Sequence, residues 1–462
     1  MNKFIFDSSI TVYADKRIDF DELSTLIWGF CGKTFRPTIK EGNDGEIVIG
    51  NCSGIELCEK DEYTIKVCED GVCVKSNDVK CLMRGFLAFL SSVITLEPDD
   101  STPLFSAEFA EHHGKYRIAN RMVHVCVFPE TTFYMFRKLV RLCAALQYTH
   151  IIIEFWGMLK YDCLPELGWP NAYEKSAVRE VLEEAKKLGI TPIPMFNHFG
   201  HASGCRGVNG KHVILDQNPS LAYLFTPDGW AWDIEREGTY TLLKKIRKEL
   251  YELFDECEYI HLGCDEAHIY GNGFTDHKNV AAFFSRITTE CNEEGKTPML
   301  WGDMFLCPKE LEDATGCSCN AKSIENAKLI REAINPNTII TDWHYNVSKR
   351  PWETSGLLKN EGFKVMCCPW FKGANIFSAA DTIEELGLFG IIQTTWHVLS
   401  ARMHMLGDCA KACGAYMPSA FTFCSTGTMC ATLLRKVSFE EGAYEDTGFA
   451  AFQTGTDYRN DV

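Results

Sequence analysis

Residues 121–128 read Arg-Met-Val-His-Val-Cys-Val-Phe, Thr131 to Gln147 follow, and residues 150–155 read His-Ile-Ile-Ile-Glu-Phe. A short β-rich run, an amphipathic segment and a second β-rich run have the order of a strand–helix–strand unit. The pattern then repeats along the chain. Further β-rich runs are Thr191–Phe196, Tyr259–Gly263, Pro298–Gly302, Thr338–Trp343, Lys364–Pro369 and Phe389–Thr395, and the first is taken as Met122–Phe128. Between them lie amphipathic segments such as Tyr173–Leu188, Gly238–Cys257 and Asp276–Glu294. Eight such units over roughly 300 residues predict a closed parallel (β/α)8 barrel, an α/β fold of the TIM type.

Upstream, residues 1–112 read as a small α/β domain. Lys3–Phe6 and Ile10–Tyr13 suggest strands, Asp21–Phe30 a short helix and Glu46–Ile49 another strand. Tyr63–Cys68 and Val72–Lys75 flank Glu69-Asp70-Gly71, a hairpin with an Asp-Gly turn. Lys80–Ile94 carries apolar residues at helical spacing, and the polar residues from Glu97 to Thr102 are read as a connection to the next domain. The barrel is placed at 113–437 and a C-terminal tail at 438–462.

Of the 462 residues, 46% are hydrophobic and 24% charged, as in a globular protein with a large core. The net charge of −17 repels phosphate, so neither nucleic acid nor an acidic membrane is expected as a partner. No run of about 18 apolar residues is present. An acid at Asp7 interrupts the apolar start that a signal peptide needs, so a cytoplasmic location is expected. The 22 cysteines are scattered, many inside apolar runs, and none forms the paired C-x-x-C units of a structural zinc site. They read as reduced thiols. The oligomeric state is not set by these features.

In a barrel of this kind chemistry sits where the strands end. The fourth run ends His261-Leu-Gly-Cys-Asp265-Glu266-Ala-His268, placing two adjacent carboxylates at the mouth. Successive side chains diverge, so one acid can hold a ligand while its neighbour transfers a proton. The second run delivers Glu154, and the third Asn197-His198-Phe199-Gly200-His201-Ala202. A carboxylate and a histidine from adjacent strands can pair, setting the imidazole's tautomer and basicity. The later runs deliver Trp301, Trp343, Trp370 and Trp396, with Tyr345 close by. Flat rings converging on one mouth match the CH faces of a pyranose.

The run His261-Leu-Gly-Cys-Asp265-Glu266 resembles the His-x-Gly-x-Asp-Glu motif of glycoside hydrolase family 20, the β-N-acetylhexosaminidases. The resemblance extends over most of the chain. Gly200-His201-Ala202 is similar to part of the third-strand motif, Trp301, Trp343 and Trp396 to the tryptophans that enclose the sugar, and the first ~110 residues to the domain preceding the barrel. It implies removal of terminal GlcNAc or GalNAc by substrate-assisted, retaining hydrolysis. Glu266 is then the general acid and base, and Asp265 orients the 2-acetamido group whose carbonyl oxygen attacks the anomeric carbon. Glu154 with His201 matches a supporting carboxylate–histidine pair, and Arg121 the arginine that binds sugar hydroxyls. Tyr345 is a candidate for the tyrosine that meets the acetamido group. No cofactor and no metal are required.

The chain also departs from that family. Asn197 and Phe199 stand where it has an acid and a proline, Cys126 is nearest to its first-strand aspartate, and Val398 replaces a sugar-binding glutamate. Two other readings follow from the residues: a conventional pair of Glu266 with Asp303 or Asp342 on a sugar lacking the acetamido group, or a glycan-binding barrel without turnover.

Overall fold

The computed structural model describes residues 2–32, 34–50, 62–97, 103–128, 131–155, 157–202, 214–255, 257–272, 274–396, 403–415 and 425–437. The expectations for Val398 and the tail from 438 lie outside the described residues.

Eight parallel strands close into a barrel in chain order: Asn120–Cys126, His150–Glu154, Thr191–Met195, Tyr259–His261, Thr297–Trp301, Ile339–Trp343, Lys364–Cys368 and Gly390–Thr394. Closure is made by the first and eighth strands, with Met122 opposite Ile392. Each strand lies within two residues of its sequence expectation. Most read as near-continuous apolar runs because helices cover one face and the barrel interior the other. The amphipathic segments form the helices Phe133–Ala145, Lys175–Lys187, Glu237–Phe254 and His277–Glu293. Thr132 and Asp276 cap two of them, accepting from the Met135 and Lys278 amides.

The N-terminal region holds two sheets. Three strands, Lys3–Phe6, Leu104–Glu108 and Ile94–Glu97, form one; six form the other, including the hairpin of Tyr63–Cys68 with Gly71–Lys75. The sequence reading assigned no element to residues 104–112 and carried a helix to Ile94, where the structure has the strand Ile94–Glu97. Leu104–Glu108 and Ala110–Gly114 instead fold back as strands, and the helix expected to reach Ile94 has its last α turn at Ala88, followed by a π-helical turn. Ala110-Glu-His-His-Gly114 has weak strand character, and its pairing with Tyr63–Val67 supplies the order that the local sequence lacks.

This region is anchored to the barrel's helical layer. Arg141 bridges Glu22 of the N-terminal helix Phe20–Cys31 and Glu184 of the barrel helix Lys175–Lys187, all three buried. Removing one partner of such a group costs about 3–5 kcal/mol because the remaining charge stays buried. Arg84 Nη1 adds a bond to the Gly189 carbonyl at 3.1 Å. Seventeen described cysteines are free, whereas Cys73 is disulfide-bonded, so the all-thiol reading fails at that position. Among the described residues no helix is long and apolar enough to cross a membrane.

Candidate active site

The third and fourth strands hand over to irregular backbone at the same level. Phe196 and His198 donate to the carbonyls of His261 and Leu262 at 3.1 and 2.8 Å, extending the pairing past the end of both strands. Two glycines permit that approach. A Cβ on Gly200 would overlap the Asp265 carbonyl oxygen, and one on Gly263 (φ 66°) would overlap the Asn197 side chain. His201, Cys264 and Glu266 also have positive φ (56°, 76° and 52°), a conformation costly for non-glycine residues and held only where the surroundings over-determine it.

The result is a compact trio. His201 Nε2 lies 3.3 Å from Asp265 Oδ2 and 3.1 Å from Glu266 Oε2. The two carboxylates differ in access, with 4% of the Asp265 side chain exposed and 32% of Glu266. Asp265 is therefore placed to hold a group delivered into the barrel, and Glu266 to exchange protons at the opening. The Glu266 main chain is fixed on both sides. Its amide donates to Asp303 Oδ2 at 3.0 Å, and its carbonyl accepts from Trp230 Nε1 at 2.6 Å. The Trp230 ring also packs 4.4 Å from the His201 ring.

Asp303 acts here as a clamp. Besides the Glu266 amide it accepts from Asn320 Nδ2 at 2.7 Å and from Trp343 Nε1 at 3.0 Å. Full burial, then the neighbouring Asp265 charge, push its carboxyl up to about 7. Asp342 points the other way. Its carboxylate accepts from Thr354 and Ser355 of the helix Glu353–Asn360 and meets His344 at 3.0 Å, wholly buried behind the barrel wall. Strand alternation explains this, since Trp343 faces the interior and its neighbour cannot. Both carboxylates are thus engaged by protein donors, Asp303 inside the barrel and Asp342 behind its wall.

The aromatic residues form a continuous lining. Trp343 lies 4.9 Å from Tyr345, Tyr345 lies 5.2 Å from Trp370, and Trp396 Nε1 donates to Tyr345 Oη at 2.7 Å. Trp301 is fully buried and forms the floor, 4.3 Å from His261 and 5.8 Å from Trp396. Trp232 is buried, its Nε1 donating to the Asn197 carbonyl at 2.8 Å.

Two expectations are corrected. Glu154 does not support His201; its Oε2 lies 3.0 Å from His124 Nε2 and its Oε1 accepts from Asn197 Nδ2 at 2.5 Å. His124 shares the interior face of its strand with Cys126, directly opposite Glu154 in the sheet register. That alternation was available in the sequence, but the family resemblance drew attention to His201. Arg121 is not in the mouth. It lies near the start of the first strand, on the face opposite His124, donating to the carbonyls of Gln147, Ile118 and Ala119 with its guanidinium over the Tyr116 ring. As the second residue of the strand Asn120–Cys126, it sits at the base of the barrel.

Against known proteins, a sequence model described as glycosyl hydrolase family 20, catalytic domain, matches residues 165–370. Over 117 residues the chain is 30% identical to the Drosophila melanogaster probable beta-hexosaminidase fdl, covering 23% of this chain and 18% of that protein. It is 21% identical over 346 residues to the Mus musculus beta-hexosaminidase subunit beta, covering 69% of this chain and 59% of that one. The chain thus spans less than two thirds of each of these relatives. The fold superposes on the Vibrio harveyi GH20 exo beta-N-acetylglucosaminidase solved with N-acetylglucosamine, with a TM-score of 0.63, 15% identity, and coverage of 100% of this chain and 75% of that one.

Proposed function

We propose that the chain is a divergent member of glycosyl hydrolase family 20, whose catalytic-domain model it matches over residues 165–370, and that it removes terminal β-linked N-acetylhexosamines from glycans. The observation that carries the proposal is the single His201 nitrogen bridging Asp265 and Glu266 beneath a wall of indoles. In the proposed reaction the Glu266 carboxylic acid gives its proton to the glycosidic oxygen as the bond to the anomeric carbon breaks. The acetamido carbonyl oxygen of the substrate forms the new bond to that carbon, and Asp265 holds the acetamido N–H as positive charge develops on the ring. Glu266, now a carboxylate, takes a proton from water, and the water oxygen opens the cyclic intermediate with overall retention. No protein nucleophile is used, in keeping with the engagement of Asp303 and Asp342 elsewhere. Tyr345 and Trp396 face the acetamido side in this arrangement, and Trp343 and Trp370 supply stacking area.

Release of p-nitrophenol from the β-GlcNAc, β-GalNAc and β-glucose derivatives tests the proposal, with wild type and Asp265→Ala run in parallel. Hydrolysis confined to the acetamido sugars and lost in the variant is expected. Equal loss on the glucoside would reject substrate assistance, and silence on all three would reject hydrolysis of simple terminal hexosamines.

A further inference from the structure

A second cluster stands beside the catalytic trio, on the first two barrel strands. His124 Nε2, Cys126 Sγ and Glu154 Oε2 converge, all three residues buried. The N···O, S···O and N···S separations are 3.0, 3.4 and 3.7 Å. A tetrahedral ion with bonds of about 2.0 Å to nitrogen and oxygen and about 2.3 Å to sulfur needs ligand separations of about 3.3–3.6 Å, so shifts of a few tenths of an ångström suffice. We propose that His124, Cys126 and Glu154 form a binding site for a zinc-class divalent cation, with water as the fourth ligand.

The donor set selects the ion. Thiolate, imidazole and carboxylate together suit zinc, whereas magnesium and calcium want oxygen alone. Charge balance suits a buried position. A doubly positive ion with one thiolate, one carboxylate, a neutral imidazole and water sums to zero, leaving no uncompensated charge in the barrel. The ligands are preformed on regular strand backbone, since Cys126 and Glu154 are register partners and His124 precedes Cys126 on the same face. Asn197 Nδ2 orients the carboxylate through its other oxygen, the usual outer support of a metal ligand.

Binding forms the N–metal, O–metal and S–metal bonds. It releases the Cys126 thiol proton to solvent, and any proton on His124 Nε2 moves to Nδ1, so one proton leaves per ion with no change of oxidation state. Sequence spacing concealed this site because its ligands come from two strands and not from a C-x-x-C unit.

The test uses the full chain, reduced and freed of metal with EDTA, titrated with Co²⁺ and then Zn²⁺. A thiolate-to-cobalt absorption band in the near ultraviolet should saturate at one equivalent, be displaced by Zn²⁺, and be absent in Cys126→Ser. Calorimetry in two buffers of different ionisation enthalpy should give one proton released, and Zn²⁺ affinity should fall at least tenfold in Cys126→Ser and in His124→Gln. Glu266→Gln is the control for the neighbouring trio and should retain the band. No band in wild type, unchanged Zn²⁺ affinity in both cluster variants, or loss of the band in Glu266→Gln would each overturn the site.

Discussion

Two histidine-centred clusters share one barrel, His201 with Asp265 and Glu266, and His124 with Cys126 and Glu154, and they are built on different backbones. The second sits on regular strands, buried and in register. The first sits just beyond its strands, where His201, Cys264 and Glu266 have positive φ and Glu266 keeps a third of its side chain exposed. Regular backbone suits a fixed set of ligands. Proton exchange with a substrate needs a group that leaves the sheet, reaches solvent and is still held by its main chain, as Asp303 and Trp230 hold Glu266.

The largest effect should follow from removing the proton at the exposed member of the first cluster. Glu266→Gln keeps the side chain's shape and is expected to lower kcat on p-nitrophenyl β-GlcNAc by about 10³–10⁴-fold, the upper range for a general acid, with KM changed little. Because p-nitrophenol is a good leaving group, the loss should grow on an alkyl glycoside, where protonation matters more. Near-normal turnover on both would erase the functional difference between the two clusters.

A smaller effect is expected at the clamp. In Asp303→Asn an amide replaces one acceptor oxygen that now faces donors from Glu266, Asn320 and Trp343, so at least one contact becomes donor against donor. The resulting displacement of Glu266 should cost about 10–100-fold in kcat. The pH dependence gives a second readout. Asp303 rises from 3.8 to about 7 on folding, so across that window the native state holds a proton that the unfolded state has released. Its contribution to stability is therefore lost as pH rises from 3.8 to about 7. The difference in melting temperature, wild type minus Asp303→Asn, should decline across that range; a flat difference would show that Asp303 does not titrate there.

The legibility of the sequence follows the same division. The eight barrel strands could be read within two residues and four of the barrel's helices within three, because burial on both faces leaves apolar runs, and helices on its outside leave amphipathic ones. Asp265, Glu266, His201 and the indoles were legible because they end strands or repeat a known run. Roles that depend on which face a residue takes were not. Asp342 and Asp303 both lie beside a strand-end tryptophan in sequence, yet one turns out towards Ser355 and the other in towards Glu266. Strands 104–108 and 110–114 were hidden for a related reason: their order comes from partners distant in sequence.

Arg121 gives the smallest effect on catalysis and the sharpest test of where the site ends. Its Nε and Nη1 donate to the carbonyls of Gln147, Ile118 and Ala119, its Nη2 has no hydrogen-bond partner among the described residues, and its strand face is opposite to that of His124. Hydrogen bonds from a charged donor are worth about 1.5–3 kcal/mol each, though not additively, so Arg121→Met should destabilise the protein by about 2–4 kcal/mol. A sugar-binding arginine behaves differently: its loss raises KM and leaves stability nearly intact. At a temperature where the variant is folded, kcat and KM within twofold of wild type, together with a lowered urea midpoint, would place Arg121 in the base of the barrel. A tenfold rise in KM with an unchanged midpoint would return it to the pocket, and the interior face of the first strand would then no longer mark the boundary of the site.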